Sequence, residues 1–486
     1  TKECDDIITV ADHYRKFKQE RQAMDYDDLL VNLKKLLETS DEVRQKMSNT
    51  YRFIMVDEYQ DTNKLQGEIT ALLASGHKNV LVVGDDSQSI YSFRGANFRN
   101  IMDFPKLFPG TTITTLEQNY RSTRPILDLT NAVIQQAKEK YSKELFSKIE
   151  GVQKPVLIDA VDEDEQAEFI TQQVLALREQ GVPLEKIAVL FRASWHANEL
   201  EIKLRTANIP YVKYGGLKFT EAAHIKDVLA YMRVIHNVFD EIAWLRLLLL
   251  IDGIGTASAE KIITNIIRFG GSLEQLLAKD FAKKKYFDDL RKLHALLSRL
   301  TGSKLKPAEK LEAIIEYYTP LFEEKYDDFR RRKEDLISLL RISERYARLE
   351  QMLTDMTLEP PDTSQIGAAP TDMDDEKLVL STIHSAKGLE WHTVFIIHLV
   401  EGYFPGMRSM ESDEDLEEER RLFYVAATRA QKNLYLITPE LESRSWNTFN
   451  PSGIIFSEPS RFITEIPAFE ELTEIGVLEF EEEEPF

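Results

Sequence analysis

The sequence predicts an α/β fold with more than one core and a long helical insertion, and three observations carry the prediction. Phe53-Ile54-Met55-Val56 is apolar at every position and runs straight into Asp57-Glu58, the pattern of a strand buried on both faces of a parallel sheet. Asn79-Val80-Leu81-Val82-Val83 repeats it and ends in Gly84-Asp85. From 219 to about 353 the periodicity is helical throughout, and strand-like runs resume at 377–383, 394–399 and 434–438. An all-helical insertion inside an α/β domain is the simplest arrangement of that order.

Taken along the chain, residues 1–50 read as helices. The stretch 8–24 is amphipathic and basic in its middle (Arg15, Lys16, Lys18, Arg21), its basic face an ordinary solvated one, and Tyr26-Asp27-Asp28-Leu29-Leu30 begins another helix. Residues 51–117 supply strands, with Pro109-Gly110 marking a turn before 111–116. A second α/β unit follows: a helix after Pro125, a strand at 155–160, a helix at 163–180 and a strand at 187–192, with Gly181-Val182-Pro183 breaking helix from strand. Within the helical insertion, Asp252-Gly253-Ile254-Gly255-Thr256 reads as the turn between two helices. Its glycines can expose backbone N–H groups to a phosphate, although Gly-Ile-Gly also serves as a plain tight turn. The Pro-, Asp- and Thr-rich stretch 359–376 has no periodicity and reads as a mobile linker.

Size and composition set outer bounds. A chain of 486 residues exceeds one core, so roughly two to four domains are expected. No apolar run is long enough to span a membrane, the stretch 245–251 being far too short. The single cysteine, Cys4, excludes an internal disulfide framework and fits a reducing, cytoplasmic location. The net charge of −21 argues against nucleic acid as a partner if charge is read over the whole chain. Much of that acid is local, however: six of the seven residues 413–419 are acidic, and 479–484 is nearly all glutamate. Such runs are expected to be solvated or disordered. Any DNA path must then be a local basic and aromatic track, with salt-sensitive binding.

The chemistry-bearing residues sit where the strands end, which is where ligand sites lie in parallel sheets. Of Asp57 and Glu58, one carboxylate can hold Mg²⁺ on a nucleotide while its neighbour orients or deprotonates a water. By spacing alone, an ordinary strand-to-loop junction explains the pair equally well. After the second strand, Asp85 and Gln88 could meet a phosphate, and Tyr91, Phe93 and Arg94 could meet a base. Aromatic and guanidinium planes stack on unpaired bases without needing a particular sequence. Core packing of the same rings is the plain alternative.

Five strings, VDEYQDTN (56–63), GDDSQSIYSFRGA (84–96), LEQNYRST (116–123), STIHSAKGLEW (381–391) and EEERRLFYVAATRAQ (417–431), stand in this order. In that order the chain resembles UvrD/Rep/PcrA-type superfamily 1 DNA helicases, from its start to about residue 440. The resemblance implies two RecA-like P-loop NTPase cores, the first incomplete. It divides the chain into 1–50, the end of a helical insertion of the first core; 51–118, the rest of that core; 119–215, the first part of the second; 216–376, a helical subdomain with its linker; 377–466, the second part of the second core; and 467–486, an acidic tail.

The resemblance also implies roles. Asp57 is the Mg²⁺ ligand, Glu58 the base activating the attacking water, and Gln88 the sensor of the γ-phosphate of ATP. Arg121 and Arg429 are arginine fingers from the second core. Tyr120 stacks on adenine and Glu390 addresses the ribose. Tyr91, Phe93, Arg94, His384 and Lys387 line a single-strand track, and Gly253 and Gly255 meet duplex ahead of it. Phe93 stands where Trp is common in the family, and Tyr59 where Phe is common; Tyr403 and Phe404 extend the track or pack in the core. The implied activity is an ATP-dependent translocase moving 3′ to 5′ on single-stranded DNA and opening duplex at the junction.

No G-x-x-x-x-G-K-[ST] phosphate loop occurs in the sequence, which opens on Thr1. The expectation is a fragment that does not turn over ATP alone. A DNA-binding or regulatory module without ATPase is the rival reading. A helicase-nuclease subunit would need clustered acids in a distal domain, and the residues after 440 offer only the acidic tail.

Overall fold

The computed structural model describes residues 2–21, 23–215, 218–357, 376–443 and 454–476. The expected linker at 359–376 therefore lies, apart from Glu376, outside the described residues. The chain forms two compact units. One comprises Thr1–Asn119, Asn131–Phe146 and Ser409–Val425, the other Tyr120–Thr130, Ser147–Arg408 and Ala426–Phe486. The first unit thus takes in 131–146 and 409–425, which the sequence assigns to the second core. Among the described residues no helix is long and apolar enough to cross a membrane.

The first unit opens with helices Lys2–Glu20, Tyr26–Thr39 and Asp41–Thr50. Asp25 and Asp28 form a reciprocal capping box at the start of the second helix, satisfying two otherwise orphaned N–H groups. Lys18 clamps both carboxylates at 2.7 and 2.6 Å, so this part of the basic face is paired rather than merely solvated. Strands β1 (Ile54–Val56) and β2 (Val80–Val82) pair in parallel with Ile54 opposite Val80.

The expectation of burial on both faces fails here. Val56, Val80 and Val82 pack on a small core of Tyr59, Ile101 and Phe104, while Phe53, Met55, Leu81 and Val83 stay 49–73% exposed. Alternate side chains of a strand point to opposite faces, and only one face is covered among the described residues. Nor do 111–116 form a strand; the ladder that follows is the short pair β3 (Gln118–Asn119) and β4 (Phe146–Ser147).

The acidic run 413–419 is ordered, opening the helix Asp413–Ala427. Carboxylates near a helix N-terminus meet the positive end of its dipole, which favours such a run there.

The second unit is built on a parallel sheet of seven strands: β5 (Val156–Ala160), β6 (Ile187–Phe191), β7 (Tyr211–Tyr214), β8 (Leu378–Thr382), β9 (Trp391–Ile396), β10 (Ala430–Pro439) and β13 (Glu474–Ile475). Their spatial order is β13-β5-β10-β9-β6-β8-β7. Two further strands among the described residues, β11 (Leu441–Ser443) and β12 (Ile454–Phe456), pair antiparallel to each other. β6 is buried at every position, as a central strand covered on both faces must be. Helices Glu163–Glu179 and Asn198–Thr206 contribute Ile170, Val174, Leu200 and Leu204 to the core on one side of the sheet. β13 lies in the segment expected to be an acidic tail and adds to the sheet edge beside β5. Helices from Ala223–His236 to Leu349–Thr357 enclose their own core around Trp244, Ile262, Leu293 and Tyr318, the helical insertion expected between β7 and β8.

Candidate active site

In the first unit, Asp57 and Glu58 emerge at the C-terminal end of β1, both exposed. Glu58 adopts a left-handed backbone at φ 49°, a conformation that costs a non-glycine residue about 1–2 kcal/mol. Its N–H donates to Asp57 Oδ1 at 2.9 Å, which helps hold the turn. The neighbouring strand is tied in by Val83 N donating to Val56 O at 2.8 Å and Tyr59 N donating to Val83 O at 3.0 Å. The two strand ends therefore present their carboxylates together.

Gln60, fully buried, joins them. Its Nε2 donates to Glu58 Oε2 at 2.5 Å, and its Oε1 accepts the N–H of Asp85 at 3.0 Å. Gly84 makes this approach possible, because a Cβ there would stand 2.5 Å from Gln60 Oε1 and 2.9 Å from Ile101 Cδ1. Asp85 Oδ2 in turn accepts Gln88 Nε2 at 2.8 Å. Asp57, Glu58, Asp85 and Gln88 thus form one connected cluster.

Lys143 closes the far side. Its ammonium pairs with Asp85 and lies 2.8 Å from Asp86 Oδ1. Burial pulls the Lys143 pKa down, and the two carboxylates overcome that pull, leaving it above its ordinary value. Gln60, Gly84 and Lys143 were not singled out from the sequence. The first two lie inside quoted strings and could have been flagged there. Lys143 sits in a polar stretch that carries no signal of its partner.

The proposed base-stacking residues follow on the 3₁₀ turn Ser92–Arg94. Tyr91 and Phe93 have ring centroids 5.9 Å apart, and the Arg94 guanidinium lies 5.2 and 5.4 Å from the two. Phe93 is 65% exposed, so its face is available to a ligand. The loop is anchored by Ser92 N donating to Glu418 at 3.2 Å and by Arg421 Nε donating to Ser89 O at 2.8 Å, both acceptors or donors on the Asp413–Ala427 helix. Tyr59 packs edge-on against Phe104 at 5.4 Å, a core role that Phe would also serve.

In the second unit, Tyr120–Thr123 runs beside the start of β10: Ser122 Oγ donates to Ala430 O at 2.6 Å and Thr123 N to Gln431 O at 3.0 Å. This pairing brings Arg121 to Glu390, with which it forms an ion pair, while Gln431 Nε2 donates to the other Glu390 oxygen at 2.9 Å. The Arg121 hydrogen bond is the main reason that the Glu390 carboxyl is held below its usual range. Arg429 is buried, its guanidinium donating to Leu389 O at 3.1 Å and Thr428 Oγ1 at 3.2 Å. Tyr120 is 79% exposed.

His384 and Lys387 lie in the turn that leaves the C-terminal end of β8. Phe404 is core, packed on Phe462 at 5.8 Å, and Tyr403 sits among Trp195, His196 and His398. Gly253 has a left-handed φ of 81°, and Gly255 precedes the first turn of the helix Thr256–Arg268 with open space where a Cβ would stand.

The profile of the UvrD-like helicase C-terminal domain matches residues 114–440, and that of the UvrD/REP helicase N-terminal domain matches residues 1–109. The chain belongs to the UvrD-like helicase family. It is 35% identical over 483 residues to the ATP-dependent DNA helicase PcrA of Staphylococcus epidermidis, covering 95% of this chain and 64% of that relative. It is 33% identical over 485 residues to the PcrA of Staphylococcus aureus, with the same coverage. The chain therefore spans 64% of the length of these curated relatives.

For a UvrD-like helicase the donor set fits Mg²⁺-nucleotide. Among the described residues no three His, Cys, Asp or Glu side chains converge into a metal cage. Mg²⁺ on a nucleotide needs none, since it keeps waters and phosphate oxygens and takes one or two carboxylates. Asp57, exposed and outside every ion pair among the described residues, meets that requirement.

Proposed function

We propose that the complete gene product is an ATP-dependent DNA helicase that translocates 3′ to 5′ along single-stranded DNA and opens duplex at the junction. The observation that carries this reading is the hydrogen-bonded cluster of Glu58, Gln60, Asp85 and Gln88, three residues along the chain from the ring-and-guanidinium cluster of Tyr91, Phe93 and Arg94, in which Phe93 and Arg94 are exposed.

In this reading Asp57 would hold Mg²⁺ on ATP, which would supply charge neutralisation at the phosphates. Glu58 accepts a proton from the attacking water, and Gln88 responds to the γ-phosphate. Arg121 and Arg429 stabilise charge on the transferred phosphoryl, Tyr120 stacks on the adenine, and Glu390 addresses the ribose once Arg121 turns to phosphate. Tyr91, Phe93, Arg94, His384 and Lys387 hold the single strand, and the Gly253 to Gly255 turn meets duplex phosphates. Each base pair opened costs about 1–2 kcal/mol, within what hydrolysis of one ATP supplies. We further propose that the 486-residue chain alone does not hydrolyse ATP, since no lysine in it follows the phosphate-loop pattern.

Strand displacement with tailed duplexes tests the reading. Unwinding of a 3′-tailed duplex in the presence of ATP, with none of a 5′-tailed one, is expected; equal binding of both with no unwinding of either would replace it with a DNA-binding module.

A further inference from the structure

Gln88 is held in place by a carboxylate, and that carboxylate is itself held from a distant part of the chain. An ionised carboxylate only accepts hydrogen bonds, so Asp85 Oδ2 dictates that the amide nitrogen of Gln88 faces it, at 2.8 Å. The orientation of the whole amide then follows from the position of Asp85. Asp85 adjoins a second carboxylate, Asp86, which is 3% exposed. Two adjacent carboxylates repel unless a cation lies between them. Lys143 is that cation, paired with Asp85 and 2.8 Å from Asp86 Oδ1, with its side chain 14% exposed.

Lys143 is fixed in turn. Tyr141 N donates to Asp86 Oδ2 at 3.1 Å, and Leu145 and Asn131 exchange two hydrogen bonds at 3.1 and 2.8 Å. The stretch 141–145 is thereby pinned on both sides of the lysine.

We propose that Lys143 is a positioning residue for ATP hydrolysis, holding Asp85 so that Gln88 meets the nucleotide in its working orientation. The inference rests on the helicase reading above and concerns the chemical step, not nucleotide binding: Lys143 reaches the nucleotide through Asp85 and Gln88.

The experiment is steady-state ATP hydrolysis by the complete gene product on saturating single-stranded DNA, comparing wild type with Lys143→Met, Lys143→Arg and Asp86→Asn. Lys143→Met should lower kcat by about tenfold or more while KM for ATP moves by less than about threefold, as displacement of an orienting group does. Lys143→Arg, which keeps the cation, should recover most of the loss. Asp86→Asn preserves the shape of the side chain and serves should Lys143→Met not fold; it should lower kcat with KM unchanged.

A kcat for Lys143→Met within about twofold of an active wild type overturns the proposal. So does an Arg variant as impaired as Met with an equal fall in melting temperature, which marks a merely structural lysine, and so does an unaltered kcat in Asp86→Asn. A wild type that hydrolyses no ATP removes the helicase reading itself, and this inference with it.

Discussion

The amide of Gln60 donates to the Glu58 carboxylate at 2.5 Å, and through its other end holds the backbone N–H of Asp85 at 3.0 Å. A single buried side chain therefore bridges the ends of two parallel strands that carry the proposed nucleotide chemistry. Gln60→Leu leaves the Asp85 N–H without that acceptor, which costs about 1–3 kcal/mol. It should also lower kcat for ATP hydrolysis by about tenfold or more through misplacement of Glu58. Denaturant midpoints and steady-state kinetics read the two effects separately, and a variant normal in both contradicts the assignment.

Gly84→Ala probes the same junction sterically. The added Cβ meets Gln60 Oε1 at 2.5 Å and Ile101 Cδ1 at 2.9 Å, and overpacking of this kind costs about 1–3 kcal/mol. The expected result is a lower urea midpoint with an unchanged slope; an unshifted midpoint would show that the junction has room to spare.

Phe93, proposed to stack on a base, is 65% exposed. Phe93→Ala should weaken single-strand binding by about 1–3 kcal/mol with little change in salt slope, whereas Arg94→Ala should lower the slope itself. Fluorescence anisotropy across a salt series distinguishes the two, and equal slopes in all three proteins would remove Arg94 from the phosphate path.

The pH dependence of stability should carry the mark of Glu163. Burial alone would push this carboxyl up; His398, with its Nε2 3.4 Å away, and the Arg341 guanidinium at 2.7 Å more than offset it and hold it at about 2, against an ordinary 4.5. A carboxyl depressed in the folded state contributes stability that is complete above pH 4.5 and is lost as pH falls from there towards about 2. Denaturant midpoints measured through that window should fall steeply in wild type and less steeply in Glu163→Gln; parallel curves would contradict the pairing.

Asp57, Glu58 and Asp85 were legible in the sequence because each follows a short apolar run, a strand-then-acid pattern that is local, whereas the roles proposed for Tyr120, Arg121, Glu390 and Arg429 came from the family resemblance. The helical insertion was legible for a similar reason, being a sustained single periodicity. What could not be read were the relations between distant segments. Lys143 and Asp85 are 58 positions apart, and nothing near either one points to the other. The run Phe53-Ile54-Met55-Val56 looks buried on both faces because a continuous apolar stretch carries no information about which face is covered; the structure covers that of Val56 and leaves Met55 exposed. The acids of 413–419 read as a solvated run, since composition does not reveal that they begin a helix whose later carboxylate, Glu418, caps the Ser92 N–H. β13 was missed because two strand residues beside a glutamate-rich end have no periodicity to detect.

The role of Glu58 in hydrolysis is measured most directly by DNA-stimulated ATP turnover of the complete gene product, wild type against Glu58→Gln. Hydrolysis is expected to rise on addition of single-stranded DNA and to fall by at least about a hundredfold in the variant, with nucleotide binding retained. Hydrolysis that persists in Glu58→Gln, or a wild-type protein that binds DNA and leaves ATP intact, would contradict that role.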